Sequence, residues 1–383
     1  MRQPAAMSAA LRPDILIAGG GLAGAAAALG LVRTGLAVTL IERENKPVHK
    51  ICGEFISFEA QDYLSRLGLD VAALGGAAIS RLRLIRGAET ISTELPFAAI
   101  GLSRFKLDEA LLRHAQDLGV QVLRGRSVRK VSVENKIAVD IEDIGIVEPD
   151  VMMLATGKHE LRGIKRQLNA QTKQKNLIGF KMYFKLRPAA RASLEHHIEL
   201  IFFPGGYAGL QLIEDGVANL CLLVDRDCYR QCGGNWPSLL QHLQTSTPVL
   251  AHRLAGAEPM LQQPLTIYQV PYGFIHQPHD TDPPGLFRLG DQACVIQSFT
   301  GDGMSIALHS SALAVQAVVN KQDSNSFHRR LAHDVRGQIK RADIIYALMN
   351  HRLTQTAALK ISSLWPQSLK IAAQLTRVAI NHN

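Results

Sequence analysis

The sequence predicts an α/β chain. A Rossmann-like dinucleotide-binding domain carries an inserted, mostly antiparallel β-sheet and ends in C-terminal helices. Three observations predict this. A glycine-rich turn between two apolar strands opens the chain, in DILIAGGGLAGAAAALGLVRTGLAVTLIER (Asp14–Arg43). Short β-rich runs divided by Gly, Pro and Asp fill much of residues 158–270. A second strand, glycine turn and helix then return in GLFRLGDQACVIQSFTGDGMSIALHSSALAVQAV (Gly285–Val318).

In the first unit, Ile15–Ala18 is a short apolar run, as a buried parallel strand would be. Gly19, Gly21 and Gly24 follow at G-x-G-x-x-G spacing, then an Ala/Leu-rich helix that Gly35 stops. Ala37–Ile41 is the second strand, with Glu42 at its end. Gly19 permits the tight turn, Gly21 leaves room for a pyrophosphate, and Gly24 lets the helix pack close to the sheet. The helix N-terminus offers unpaired N–H groups to the phosphates. Glu42, about 20 residues on, is placed to accept both ribose hydroxyl protons.

The second unit favours FAD over NAD. Asp291, at a strand end, can bind a ribityl hydroxyl. The Gly301-Asp302-Gly303 turn, opening a long apolar helix, would set backbone N–H groups against the electron-rich edge of a flavin. Two such turns far apart in sequence suit a long cofactor threaded into the domain. No second G-x-G-x-x-G follows a strand, so a separate nicotinamide domain is not expected. NADH or NADPH then acts as a transient donor, or a separate reductase supplies the electrons.

Between these units, Leu82–Ile85 and Thr90–Leu95 read as a strand pair that reaches towards the inserted sheet, and Leu107–Leu118 as an amphipathic helix. Short strands fill Val120–Leu154 and end in Ala155-Thr156-Gly157, a further turn beneath the cofactor. Gly179–Lys185, His197–Phe203, Tyr207–Ile213 and Val217–Val224 are the strands of the substrate sheet. Trp236–Leu254 is helical with a break at Pro248. Leu353–Ile380 reads as two short helices around Pro366, which cap the cavity or lie on a membrane surface. The expected division is residues 1–80, 102–157 and 271–345 for the cofactor domain. Residues 81–101 form an excursion to the substrate sheet, 158–270 the substrate domain and 346–383 the C-terminal helices.

Composition excludes several classes. At 47% hydrophobic and 20% charged over 383 residues, the chain is of globular type. The net charge is +9, but residues 320–383 hold ten Lys/Arg against three Asp/Glu, which leaves only +2 for the rest. That is no broad nucleic-acid surface. It does leave a basic C-terminal segment for peripheral contact with anionic lipid or an acidic partner. Five cysteines form no even-numbered disulfide framework, which points to a reducing, cytoplasmic setting. Cys228 and Cys232 are four apart with no second pair at zinc-finger spacing, so no metal site is expected. The N-terminal MRQPAAMSAALRPD has no apolar signal core, and no apolar run is long enough to span a membrane.

GGGLAG with Glu42-Arg43, SRFKLDEALLRHA (Ser103–Ala115), LATG (Leu154–Gly157) and LGDQA (Leu289–Ala293) together resemble the FAD-dependent monooxygenase superfamily of the para-hydroxybenzoate-hydroxylase fold. KICGE (Lys50–Glu54), PGGYAGLQLIEDGVANLCLLV (Pro204–Val224) and TGDGMSIALHSS (Thr300–Ser311) are similar to its geranylgeranyl-reductase branch. The W-x-W-x-I-P stretch of flavin halogenases is absent. The resemblance implies that Arg104 touches the phosphate or ribityl side of the flavin and that Asp291 holds the ribityl chain. The candidate cofactor set is Gly19, Gly21, Leu22, Ala23, Gly24, Glu42, Arg43, Cys52, Gly53, Arg104, Val128, Ala155, Thr156, Gly157, Gly290, Asp291, Gly301, Gly303 and Met304.

The expected activity is a monooxygenase that hydroxylates a hydrophobic or aromatic small molecule through a flavin C4a-hydroperoxide. A flavin-dependent C=C reductase of an isoprenoid-like or lipidic substrate is the alternative, and a flavin-binding protein without turnover the third reading. Cys52, Glu54, Tyr207 and Tyr272 are candidate catalytic groups by location. In HKICGEFIS (His49–Ser57), Gly53 fits a turn against the flavin, Cys52 is a contact or a thiol that Lys50 activates, and Glu54 is a candidate acid/base. His49, His159 and His309 read as hydrogen-bonded structural groups.

Overall fold

Ile15–Ala18 (β1) is buried along its whole length because it sits between two parallel neighbours, Val38–Glu42 (β2) and Val151–Leu154 (β10). Helix α1 (Leu22–Val32) crosses from β1 to β2. A Cβ on Gly24 would lie 1.9 Å from the Gly19 carbonyl oxygen, so only glycine allows this approach of helix to turn. Gly19 itself has φ +106, and a Cβ there would strike the Ala155 carbonyl at 2.5 Å. Gln121–Arg124 (β6) and Leu286–Arg288 (β17) complete a parallel five-stranded sheet in the order β17-β10-β1-β2-β6. The fold class is the one the sequence predicts. The computed structural model describes residues 13–168, 176–279, 282–350, 360, 365 and 367–377.

Against this sheet pack α3 (Arg104–Asp117) and the long helix α8 (Gly303–Val319). Ser103 caps α3: its Oγ accepts from Lys106 N at 3.2 Å and donates to Glu214. A cap of this kind contributes about 1 kcal/mol. Helix α2 (Phe58–Arg66) and helix α9 (Ser324–Asn350) are not anticipated from the sequence. Helix α9 buries Phe327, Leu331, Val335, Ile339 and Ala342, a helical stripe set among many charges.

The second sheet has nine strands. It runs β15 (Glu258–Pro259), β11 (Leu177–Lys185), β14 (Ala218–Asp225), β13 (Gly206–Leu212), β12 (His196–Phe203), β4 (Ala77–Arg86), β5 (Glu89–Gly101) and β3 (Phe55–Ile56). Its ninth strand, β16 (Leu265–Tyr268), pairs with β11. All its pairings are antiparallel except β12 with β4. The predicted strand pair is therefore present but longer than expected. Successive side chains on these strands face opposite ways. Ile201, Phe203, Ala208, Leu210 and Leu220 face a core covered by α4 (Pro188–Leu194), α6 (Trp236–Ser246) and α7 (Pro248–Leu254). Pro248 begins α7, as the break in the sequence predicts. The short helix α5 (Arg226–Gln231) follows β14. Three strands, β7 (Val128–Val133), β8 (Ile137–Ile141) and β9 (Gly145–Val147), form a small third sheet.

Residues 1–12 of the N-terminal tail and most of the expected C-terminal helix pair lie outside the described residues. Of that pair, Gln367–Leu375 (α10) is a helix that packs on β5. No described helix is long and apolar enough to cross a membrane.

Candidate active site

One cavity of about 1250 Å³ runs from the C-terminal ends of β1 and β2 to the free face of the nine-stranded sheet. Every residue of the predicted cofactor set lines it except Gly24, which lies behind Gly19. Tyr207, Tyr272 and Glu54 are also in its wall. Both long-separated glycine turns thus meet in one space.

Two helix N-termini open on that space. Helix α1 begins after Gly21 and helix α8 after Asp302, and neither has a side-chain cap. Their first N–H groups need an acceptor from elsewhere, and an anionic or electron-rich ligand supplies one. A Cβ on Gly53, Gly157 or Gly303 would meet nothing within 4 Å. A Cβ on Gly21 would meet only the ends of Arg104 and Asp108, at 3.5 and 3.7 Å. These glycines border open room of the kind a bound dinucleotide fills, so the residues present fit FAD.

The charged members of the set are each already engaged. The Glu42 carboxylate accepts from Gly20 N at 2.7 Å and Glu44 N at 2.8 Å. Each oxygen keeps a lone pair for a ribose hydroxyl. Arg104 holds Asp108 in a two-point pair at 2.6 and 2.8 Å, and Arg43 pairs with Glu44. Asp291 lies 3.4 Å from the Lys158 ammonium, which the sequence reading passed over. The Thr156 hydroxyl donates to His159 O, shaping the turn after β10.

The structure corrects the expectation for Glu54. Its side chain has no exposed surface, and Lys181, equally buried, pairs with Oε1 at 2.6 Å. Tyr183 Oη donates to the same oxygen at 2.9 Å and Arg104 N at 2.8 Å, while Asn219 Nδ2 donates to Oε2 at 3.1 Å. Lys181 also donates to Lys50 O at 2.9 Å. Burial raises the Glu54 pKa, and Lys181 opposes the rise. The carboxylate is thus a buried joint rather than a group offered to substrate. Its backbone is left-handed at φ 60, costly for a side-chain residue, and is held by Gln211 Nε2 and Leu102 N donating to its carbonyl. Lys181 is the residue that sequence reasoning missed, because it stands inside an otherwise apolar strand.

Cys52 is half-buried and its Sγ accepts from Glu54 N at 3.3 Å. It borders the cavity through the same loop. Tyr207 lines the cavity, but its hydroxyl oxygen has no exposed surface and lies beside Ser298, and its ring lies edge-on to Phe299 and Tyr346. Tyr272 pairs with Ser298 Oγ at 2.5 Å. Burial pushes both tyrosine pKa values up, so both stay protonated at neutral pH.

Two of the three histidines are hydrogen-bonded through their rings as expected, while His159 is exposed at the cavity and bonded only through its backbone. His309 bridges Tyr63 Oη at 2.8 Å and Asp334 at 3.0 Å, away from the cavity. His49 lines the cavity, stacks on Phe105 and meets Tyr183 Oη at 3.1 Å. Burial, with Lys181 nearby, lowers its pKa.

The far wall is apolar. Leu82 and Leu84 on β4 and Ile198, Leu200 and Phe202 on β12 face it at the two-residue period of a strand. That alternation is visible in the sequence, although only the strands were read from it. Leu369, Ala372 and Ala373 of α10 close the cavity, so the helix caps it, one of the two expectations for this segment. Arg377 beyond α10 donates to Thr300 O, lies 3.4 Å from Asp302 and sits over the Phe97 ring at 4.8 Å. Arg377 thereby ties the residues after α10 to the glycine turn at α8.

Residues 12–142 match the family described as FAD binding domain. The chain is 23% identical to a tryptophan 2-halogenase of Chondromyces crocatus over 79% of its own length, and spans 60% of that relative. Among solved structures it is similar to the flavin-dependent brominase Bmp2, with a TM-score of 0.75 at 17% identity, over 96% of this chain and 93% of that one. It is also similar to PqsL, a probable FAD-dependent monooxygenase of Pseudomonas aeruginosa, with a TM-score of 0.70 at 18% identity, over 91% and 100% of the two chains. Residues 12–142 therefore match an FAD binding domain, and the fold is the para-hydroxybenzoate-hydroxylase-like one of Bmp2 and PqsL.

Proposed function

We propose that the protein is an FAD-dependent monooxygenase that hydroxylates a hydrophobic or aromatic small molecule. One observation carries this reading. The glycine turns that fit FAD and the apolar face of the substrate sheet border a single cavity that α10 covers. Bound FAD, once reduced, would supply the oxygen-activating chemistry. The chain's own part is to bind, orient and exclude water. Gly21 and the α1 N-terminus take the pyrophosphate, Glu42 the ribose and Asp291 the ribityl chain. The alternating Leu82, Leu84, Ile198 and Leu200 wall holds the substrate's apolar body. Helix α10 with Arg377 keeps water from the reacting centre, which a reactive oxygen species needs.

A halogenating activity is the second reading, favoured by the similarity to the tryptophan 2-halogenase and the brominase. The missing W-x-W-x-I-P stretch weighs against it. Electrons come from transient NADH or NADPH or from a separate reductase. One experiment separates the readings. FAD-loaded protein is reduced by a generic flavin reductase with NADH, given a panel of aromatic and isoprenoid compounds, and exposed to air with and without bromide. Products are read by mass spectrometry. Gain of one oxygen, independent of bromide, supports the proposal. A brominated product replaces it with halogenation. Product formed only without air replaces it with C=C reduction.

A further inference from the structure

The sequence gives Cys228 and Cys232 no partners at a metal-binding spacing, but the fold brings His242 to them. Cys228 lies within the short helix α5, and Cys232 is the residue just beyond its C-terminal end. His242 lies on α6, the next helix. The two thiol sulfurs and one imidazole nitrogen all fall within 4.8 Å of one another. They converge rather than point to bulk solvent. Cys228 Sγ and His242 Nε2 are 3.9 Å apart, and each lies 3.2 Å from the same carbonyl, Pro204 O. All three residues are half-buried, and none lines the large cavity. At Gly205 a Cβ would meet the Cys228 Cβ and Sγ at 2.5 Å, so the β12–β13 turn closes directly over the thiol.

We propose that Cys228, Cys232 and His242 bind a thiophilic divalent cation of the zinc class, with solvent as the fourth ligand. Two sulfurs and one imidazole nitrogen are the donor set such a borderline-soft ion prefers over calcium or magnesium. With metal–sulfur bonds of about 2.3 Å and metal–nitrogen bonds of about 2.0 Å, tetrahedral ligands stand roughly 3.5–3.8 Å apart. The present separations, all within 4.8 Å, need to contract by no more than about 1.3 Å. Binding displaces one proton from each thiol and leaves the ion bridging two thiolates and a neutral imidazole. The ion would tie α5, α6 and the β12–β13 turn together at the outer edge of the substrate sheet. It has no part in the flavin chemistry proposed above.

The test uses FAD-loaded protein kept reduced with a phosphine and stripped of metal. Zn²⁺ is titrated against a chromophoric chelator, and Co²⁺ is followed by absorption. One equivalent of zinc should bind, and cobalt should show sulfur-to-metal charge-transfer bands with tetrahedral d–d bands. Cys232→Ser or His242→Gln should weaken zinc binding at least about 100-fold, beyond the roughly 10–100-fold that loss of an outer-shell partner costs. Zinc should raise the melting temperature of the wild type and not of Cys232→Ser. Flavin absorbance reports that each variant is folded. Zinc binding that neither substitution changes would overturn the proposal, as would a cobalt complex without charge-transfer bands in the wild type. The cobalt reading needs no variant at all.

Discussion

Lys181→Met tests the buried joint behind the cavity. Its ammonium and the Glu54 carboxylate have no exposed surface, and they meet at 2.6 Å. The substitution keeps most of the side-chain volume but leaves a buried carboxylate without its cation and Lys50 O without its donor. Loss of one partner from such a pair costs about 3–5 kcal/mol. With an unfolding entropy of about 2.1 cal/mol/K per residue, each kcal/mol moves the melting temperature of a chain of this size by roughly 1–1.5 °C, so a drop of about 5 °C is expected. The drop should depend on pH. Burial raises the Glu54 pKa, and removing Lys181 takes away what opposes the rise. A carboxyl whose folded-state pKa is raised adds stability that is fully present below its unfolded value and is lost as pH rises through the folded value. The deficit should therefore be small in mild acid and full at neutral pH. Replacing both partners, Glu54→Gln with Lys181→Met, should recover part of the loss, because no buried charge is left. Melting curves of wild type, Lys181→Met, Glu54→Gln and the double variant from pH 4.5 to 8 are the assay. A single variant within about 2 °C of wild type at neutral pH would refute the argument, and so would a deficit that grows towards acid.

Gly21→Ala separates cofactor contact from packing. Its added methyl meets nothing nearer than 3.5 Å, so the FAD-free melting temperature should hold. FAD affinity should fall at least about tenfold, read by flavin fluorescence titration, because the methyl stands where a pyrophosphate would approach. Burial pushes His276 down to about 4 and His328 down to about 2. A depressed histidine contributes stability above its unfolded value and loses it as pH falls, so stability should drop by roughly 3 kcal/mol for His276 alone between about pH 6.5 and 4, and the melting temperature with it. His276→Gln should flatten that slope, and an unchanged slope would remove His276 from the account. Tyr207→Phe deletes a buried hydroxyl beside Ser298, whose Oγ is already bonded to Tyr272. It should hold or raise stability, by up to about 1–3 kcal/mol, and a clear loss would show that Ser298 serves Tyr207 as well.

The parallel sheet was legible because its signals are local. Ile15–Ala18 is an unbroken apolar run, and Gly19, Gly21 and Gly24 each have a steric reason at their own position. The convergence of the two glycine turns was legible too, since a long ligand demands it. Helix α9 was missed although Phe327, Leu331, Val335 and Ile339 recur every four residues, because the charges between them mask the stripe. The role of Glu54 could not be read at all. An acid beside Cys52 and Gly53 looks the same whether it faces a ligand or a lysine. The deciding residue, Lys181, is 127 positions away in a strand whose neighbours Phe180 and Met182 are apolar. The meeting of His242 with Cys228 and Cys232 depends likewise on how α6 returns to the turn between β12 and β13, which no spacing rule states.

The Glu54 joint explains how two sheets with separate cores can share one cavity of fixed shape. Its donors come from four directions: Arg104 N at the start of α3, Lys181 and Tyr183 on β11, Asn219 on β14, and Gln211 on β13 to its carbonyl. The first belongs to the cofactor side and the others to the substrate sheet. An apolar contact here would resist separation but would tolerate sliding, since dispersion and burial have no preferred direction. Hydrogen bonds and an ion pair fail with a small change in angle or distance, and an unmet partner in this dry interior is costly. The loop that carries Cys52 and Gly53 is therefore fixed against both sheets at once. The distance from the glycine turns to the Leu84 and Leu200 wall is set by a charged pair whose side chains have no exposed surface. A positioning role of this kind predicts that Lys181 variants lose regiospecificity, producing mixed products from one substrate, before they lose the ability to bind FAD.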